Sequence, residues 1–536
     1  MNWKRSISCA LVATAMAAAP AAAQFGGNYG SAIAIGEGEL FIGEPLDNYN
    51  PGLVHVFRMD GGTWKAAETL SAEDAAPDNS FGRSISVDGN TMLIGATTAD
   101  SLRGAAYVFH KSGGEWSQTA KLEGSDITAG DALGKVVLLN GEEAFVATWG
   151  KDSGQGAVYV FRKSGNSWAE AGVLSPDDGE PEDRFGSALA TDGERLYIGA
   201  AGRDSSRGAV YVFHNEAGTW AQDTVLQGRR LEPESELGTS LLVRDNHLLA
   251  GLPGMNNHSG AVGIVERDTA SGTWSEVALL QPFEGGYARF GTDVATNGDE
   301  VWVSAPAANR GSGAIYRLQR NAEGGFAGAV KIQAPDLPRR AGFGAPIVVK
   351  GDVVVAGAGG VDYGEGAAVI LTAAGDDWEV ASVLKGEVRS LAAITGDEMD
   401  CGSEGSVSIF ECRRVDLLSF LPVSAIGGTR GIRLNDIWGW TDPETKREYA
   451  LVGRMDGTSF VDVTDPVNPK YLGDLPMTEG AIANAWRDIK VYKNHAFIVA
   501  DGAGDHGMQV FDLTRLRAVK GDPVTFTADA LYDEIH

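Results

Sequence analysis

An aromatic residue or leucine followed by glycine returns seven times along this chain, at Tyr29-Gly30, Phe81-Gly82, Leu133-Gly134, Phe185-Gly186, Leu237-Gly238, Phe290-Gly291 and Phe343-Gly344. The steps are 52, 52, 52, 52, 53 and 53 residues. A register held over such a length marks a repeat architecture, in which one supersecondary unit is copied and packed against its neighbours.

Other landmarks keep their places inside each unit. About seven residues after the pair comes a turn such as Asp88-Gly89, Asn140-Gly141, Asp192-Gly193 or Asn297-Gly298. These dipeptides between apolar runs signal a hairpin, because a type I′ turn needs positive φ at both central residues. A loop follows, then a glycine and a third apolar run (GAAYVF, GAVYVF, GAIYRL). The unit ends in a short alternating segment holding Trp64, Trp116, Trp168, Trp220, Trp274 or Trp378, with Phe326 in the sixth place. Each unit therefore predicts four short strands in an antiparallel meander. The 72 glycines, about twice the usual ~7% share, suit the many turns this requires.

One such meander buries little, whereas seven set radially bury their faces on one another and leave only short edges. A stack that did not close would need polar capping repeats, and the first and seventh units are no more polar than the middle ones. The expectation is an all-β fold: a seven-bladed β-propeller of four-stranded antiparallel blades over 24–386, with the Trp segment as each blade's outer strand.

The Phe-Gly pair, the hairpin, and the residues Gly95-Ala96, Gly199-Ala200 and Ser304-Ala305-Pro306 resemble the FG-GAP repeat of integrin α-subunit propellers and their bacterial relatives, over roughly residues 25–386. The resemblance implies a fold and a habit of extracellular interaction, not a reaction. Integrin-type repeats often carry a D-x-[DN]-x-D-G calcium loop between the second and third strands. Here those loops read TTADSLRG, WGKDSGQG or AGRDSSRG, and each offers one acid or amide at an equivalent place: Asp47, Asp100, Asp152, Asp204, Asn256, Asn309 and Asp362. Calcium takes about six to eight oxygens, so one per loop is too few and no cofactor is expected. These residues read as Asx turns before a glycine. The functional alternative is a ring of them forming one polar ligand surface.

The N-terminus reads as an export signal. Lys4 and Arg5 precede an apolar stretch over 6–19, and Ala21-Ala22-Ala23 fits a cleavage site before Gln24. That stretch is shorter than the ~20 apolar residues a membrane span needs, and no later one is long enough. The mature protein is expected to be secreted, periplasmic or at the cell surface. Cys9 would leave with the signal peptide (1–23). The remaining pair, Cys401 and Cys412, reads as a disulfide in an oxidising compartment, with two free thiols as the alternative. The formal net charge of −28 repels nucleic acid and anionic membranes, so neither is an expected partner.

After about Gly386 the pattern changes. Residues 387–430 read as a disulfide-containing connection. Over 431–536 a second repeat begins, in which Asp436-Ile437 matches Asp488-Ile489 and Phe460-Val461-Asp462-Val463 matches Val510-Phe511-Asp512-Leu513. Its DIWGWTDP and DGAGDHGMQVFDLT stretches resemble the LVIVD-type repeats of bacterial choice-of-anchor B proteins, which implies tethering to the cell surface. Two units fit before His536, fewer than a propeller's usual four or more blades. The expectation is an incomplete second propeller-like domain with open strand edges, in a truncated chain whose anchor lies beyond it.

No H-E-x-x-H, C-x-x-C, G-x-S-x-G or phosphate-binding loop occurs. Asp501, Asp505 and His506 share a glycine-rich loop and are candidates for a ligand or metal; a structured turn is the alternative. Trp438 and Trp440 are candidates for a sugar-stacking platform, with core packing as the alternative. Asp436, Arg487 and Asp488 read as a repeated polar pair between blades. The expected function is an exported interaction or adhesion scaffold that binds protein or glycan through one propeller face, without catalysis. The alternative is a secreted hydrolase or lyase with its site at a propeller mouth.

Overall fold

The computed structural model describes residues 28–45, 51–77, 79–228, 231–320, 326–375, 377–387, 391–401, 406–407, 410–412 and 415–533. The segment read as a signal peptide, and Asp47, lie outside the described residues.

From Ile33 to Leu384 the described residues form seven four-stranded antiparallel sheets, one per sequence repeat. Blade 1 shows the plan: Ile33–Ile35, Glu39–Glu44, Leu53–Asp60 and Thr63–Leu70 pair in chain order. The second strand is the driest; all six residues of Glu39–Glu44 are buried. It lies between two partners in its own sheet and between two neighbouring blades, so its middle residues, 40–43, read as a continuous apolar run between two buried glutamates. The fourth strand, which carries the Trp or, in the sixth blade, Phe326, lies at the outer end of each of these sheets. In all seven blades the pairing of the third and fourth strands slips by one residue at the same place, from Val56/Phe57 in blade 1 to Ile370/Leu371 in blade 7. Such a bulge sharpens the local twist, which turns the outer strand round the rim.

The first strands touch one another in ring order and the last touches the first. At the junction, Tyr29 N donates to Glu365 O at 2.8 Å. Ile33, Leu40 and Ile42 of blade 1 pack into one cluster with Val355, Ala368 and Ile370 of blade 7. The glycine of the aromatic-Gly pair explains itself here. Gly30 holds φ +81°, and a Cβ on it would sit 2.5 Å from Ala367 O of the neighbouring blade. A side chain there would wedge the blades apart. The Trp segments lock the same seams further out. Trp116 meets Phe41, Trp220 meets Phe145, Trp274 meets Tyr197 and Trp378 meets Trp302, each edge to face across a blade boundary.

Beyond the ring, Cys401 and Cys412 are joined by a disulfide with Cα atoms 5.8 Å apart. Two further sheets follow. The first orders Leu434–Thr441, Glu448–Arg454, Gly457–Asp462 and Lys470–Pro476, and has the same third-to-fourth-strand bulge as the blades of the ring, at Phe460/Val461. The second pairs Arg487–Tyr492, His495–Ala500 and Met508–Asp512. One apolar core joins them, with Phe460 stacked on Phe511 at 4.7 Å. The open edges expected from two isolated repeats are in part covered. Val524–Thr525 runs parallel along Lys470–Pro476, and Ala530–Tyr532 pairs antiparallel with Met508–Asp512. This second unit docks on blade 7 through Arg430, which donates to Asp362 Oδ2 at 3.1 Å, Gly366 O at 2.9 Å and Glu365 O at 3.0 Å.

Candidate functional site

The loops between second and third strands gather at one end of the propeller. The six of these loops that are described turn through consecutive left-handed residues: Asp100 and Ser101, Asp152 and Ser153, Asp204 and Ser205, Asn256 and Asn257, Asn309 and Arg310, Asp362 and Tyr363. L-residues avoid this region, and Asp and Asn tolerate it best. The backbone's need therefore accounts for an acid or amide at each of these positions.

Several of these side chains are engaged by a nearby cation. Lys121 Nζ donates to Asp100 at 2.6 Å, and Lys331 Nζ to Asn309 at 3.0 Å. Asp204 pairs with Arg207 at 3.1 Å, and Asp362 with Lys385 at 3.0 Å and with Arg430. Four of the six described positions, Asp100, Asp204, Asn309 and Asp362, are thereby engaged locally. Asn309 Nδ2 also donates to Gly313 O at 3.1 Å.

The connections between blades reach the same end and are latched there. Asp126 accepts from Tyr159 Oη and, at 2.9 Å, from Lys151. Those two hydrogen bonds hold its carboxyl below the usual range. One blade on, Asp178 accepts from Tyr211 Oη at 2.9 Å and from Arg203 at 2.6 Å, and the Arg203 bond is the main cause of its lowered pKa. Such latches hold the connections between blades in fixed positions.

Between blades 5 and 6 the corresponding connection presents rings. Phe283 is 70% exposed and Tyr287 60%. His258 O, in the neighbouring second-to-third-strand loop, accepts from Ala288 N at 3.0 Å and Arg289 N at 2.8 Å, which holds the aromatic loop on this face. The Tyr287 ring lies 5.2 Å from that of His258, and the Phe283 ring 6.3 Å from that of Tyr316. Sequence reasoning passed these two over. Their signal was available, since QPFEGGYAR puts rings where the equivalent SPDDGEPEDR has acids.

The candidates in the second unit separate. His506 is buried and both ring nitrogens are engaged, Nδ1 with Gly507 O at 2.8 Å and Nε2 with Arg487 Nη1 at 2.8 Å. Burial pushes its pKa down, and Arg487 adds to the effect. Asp501 and Asp505 of the same loop are exposed. No group of three metal-ligating side chains forms among the described residues. Trp440 is buried and stacks on Tyr449 at 5.1 Å, whereas Trp438 is part-exposed under Lys490 Nζ at 4.3 Å. The two indoles do not share a platform. Asp436 bridges two strands, accepting from Ile489 N at 2.8 Å and from Ile437 N at 2.9 Å.

Comparison with known proteins agrees with the repeat. The FG-GAP repeat family matches residues 64–109, 116–161 and 168–213. Human integrin alpha-X is 29% identical over 134 residues, which cover 22% of this chain and 11% of that protein. The chain thus spans about a tenth of the length of that relative. Among solved structures, a periplasmic gluconolactonase of Pseudomonas aeruginosa shares 14% identity, with 63% of this chain and 95% of that one covered and a TM-score of 0.46. A putative 6-phosphogluconolactonase of Bacteroides fragilis shares 15% identity, with 57% and 84% covered and a TM-score of 0.42. No helix among the described residues is long and apolar enough to cross a membrane. The three FG-GAP repeat matches run through the first four blades of the seven-sheet ring, each from one blade's fourth strand to the third strand of the next.

Proposed function

We propose that this chain is an exported recognition module that binds a protein or glycan through the loop face of its propeller and performs no catalysis. The observation that carries the reading is the pair Phe283 and Tyr287, two large rings held out to solvent on a face whose loops are latched by ion pairs and hydrogen bonds. Exposed aromatics on a rigid support bring contact area at low entropic cost, and they are enriched where proteins bind partners. The N-terminal export signal and the FG-GAP repeats support an extracellular or periplasmic setting. The likeness of the second unit to choice-of-anchor B proteins supports display at a cell surface.

The test is a binding screen of the full chain against glycans and extracellular-matrix proteins, repeated with Phe283→Ala/Tyr287→Ala. Binding that falls at least about tenfold in the double variant, a loss of ~1.4 kcal/mol or more, supports the reading. Binding equal to that of the parent chain removes the loop face from it. Turnover of any screened glycan by the parent chain overturns the non-catalytic part.

A further inference from the structure

The residue after each aromatic-Gly pair stands at the start of a first strand, where the seven blades converge. In ring order these residues are Ser31, Arg83, Lys135, Ser187, Thr239, Thr292 and Ala345. All but two are small. Ser187, Thr239 and Thr292 spend their hydroxyls locally, on Arg184 O, Glu236 O and Arg289 O at 2.6–2.8 Å. Arg83 and Lys135, in adjacent blades, break the pattern.

Cations are the scarcer charge in this chain, with 72 acidic residues against 44 basic ones. Several other cations near this end of the ring pair with acids, among them Lys121, Lys151, Arg203, Arg289 and Lys331. Among the described residues, no carboxylate pairs with Arg83 or Lys135. Burial lowers the pKa of both, and Arg83 further lowers that of Lys135, to about 8. Two like charges that feel each other and have lost much of their water are costly unless an anion neutralises them. Both remain partly exposed, so a small ion has access.

The surroundings suit an anion. Lys135 Nζ lies 4.4 Å from the centre of the Trp149 ring, and Trp149 Nε1 already donates to Gly186 O at 3.0 Å. The indole is therefore a fixed apolar wall beside the charge. On the other side of Arg83, at the same register position in blade 1, Ser31 has a buried hydroxyl with no hydrogen-bond partner. A guanidinium fork, an ammonium and a spare hydroxyl are the donors that an oxyanion takes.

We propose that Arg83 and Lys135 form an oxyanion-binding site at the centre of the propeller, which takes the carboxylate or phosphate of a small ligand, with Ser31 as a further donor and Trp149 as its wall. This inference does not rest on the aromatic loop face.

The experiment titrates inorganic phosphate and, separately, glucuronate into the full chain at pH 7 and constant ionic strength, and follows the thermal unfolding midpoint. A ligand that binds only the folded state raises the midpoint with its concentration. The expected result is a saturable rise with at least one probe, which disappears in Arg83→Gln/Lys135→Met and persists in Lys470→Met, an exposed control. Response to phosphate alone assigns a phosphoryl ligand, and response to glucuronate alone assigns a carboxylate. Should the double variant not fold, Arg83→Lys, which keeps the charge but loses the fork, is expected to raise the half-saturating concentration about tenfold. Without added anion, Lys135→Met is expected to be at least as stable as the parent, because a charge without a counter-ion has been removed. No saturable rise with either probe, a double variant that responds like the parent, or a Lys135→Met variant less stable than the parent overturns the proposal.

Discussion

Asp293 Oδ2 accepts a hydrogen bond from the backbone N–H of Ile347, one blade further round the ring, at 2.7 Å. Its Oδ1 accepts from Val294 N at 2.9 Å. The carboxyl thus ties the first strands of blades 6 and 7. Asp436 makes the same tie between the two sheets of the second unit, to Ile489 N, so one device serves both parts of the chain.

Burial pushes the Asp293 carboxyl up from its ordinary value near 3.8 to about 6, against the pull of the two N–H donors. A folded-state value above the unfolded one means the native state holds the proton more tightly. The contribution of this group is full below about pH 4 and is lost as the pH rises through 6. The side-chain amide of the variant Asp293→Asn stays neutral throughout. Urea unfolding at pH 4 and pH 7 is expected to show the parent losing about 2 kcal/mol relative to that variant, from ~1.4 kcal/mol per pH unit. A difference that stays constant with pH counts against the buried, protonated carboxyl.

Much of the ring was legible because it depends on features with a period. The aromatic-Gly pairs, the Asn-Gly and Asp-Gly turns and the terminal Trp recur in step, and each has a local physical reason. What depends on direction rather than spacing was not. Asp501, Asp505 and His506 are neighbours in sequence, but His506 turns inward to Arg487 while the two acids face solvent. Trp438 and Trp440 share a strand, but only Trp440 enters the core. The edge strands Val524–Thr525 and Ala530–Tyr532 are too short to carry an alternation, so sheet edges read as open are in part covered.

Trp116 sits at the seam of blades 1 and 2, edge to face with Phe41 at 5.5 Å, and its Nε1 donates to Glu39 at 3.2 Å. Glu39 also holds Arg58 at 2.8 Å and Lys111 at 2.9 Å. Trp116→Ala removes a buried ring and one donor from a buried acid. The expected cost is about 3–5 kcal/mol, as for other buried aromatic truncations. Trp64→Ala, at a part-exposed equivalent position, is expected to cost less. Urea midpoints of the two variants measure the order, and an inverted order would remove the seam from the account of stability.

His506 is a base kept neutral. Its Nε2 accepts from Arg487, so protonation would set two buried cations against each other. Burial, with Arg487, puts its folded pKa below the unfolded value near 6.5. Here the sign is opposite to that of Asp293: the contribution is present above about pH 6.5 and is lost as the pH falls. His506→Gln supplies an acceptor oxygen that does not titrate. Between pH 7 and pH 5 the parent is expected to lose stability more steeply than His506→Gln, as read from denaturant midpoints. Parallel curves for the two proteins would show that burial beside Arg487 leaves the proton affinity of the imidazole unchanged on folding.

Arg430 fastens the second unit to the propeller at the closing blade. Its guanidinium is nearly buried and spans Asp362, Glu365 O and Gly366 O, while Glu365 O also accepts from Tyr29 N across the ring junction. Arg430→Ala removes all three bonds and leaves Asp362 its pairing with Lys385. Each unit has its own core, so both are expected to stay folded while their docking loosens. Limited proteolysis is expected to cut faster within 387–430 in this variant, and small-angle scattering to show a larger radius. Arg430→Lys, which keeps the charge but not the planar fork, is expected to fall between the two. Cleavage at the parent's rate in Arg430→Ala would place the docking energy elsewhere in the interface.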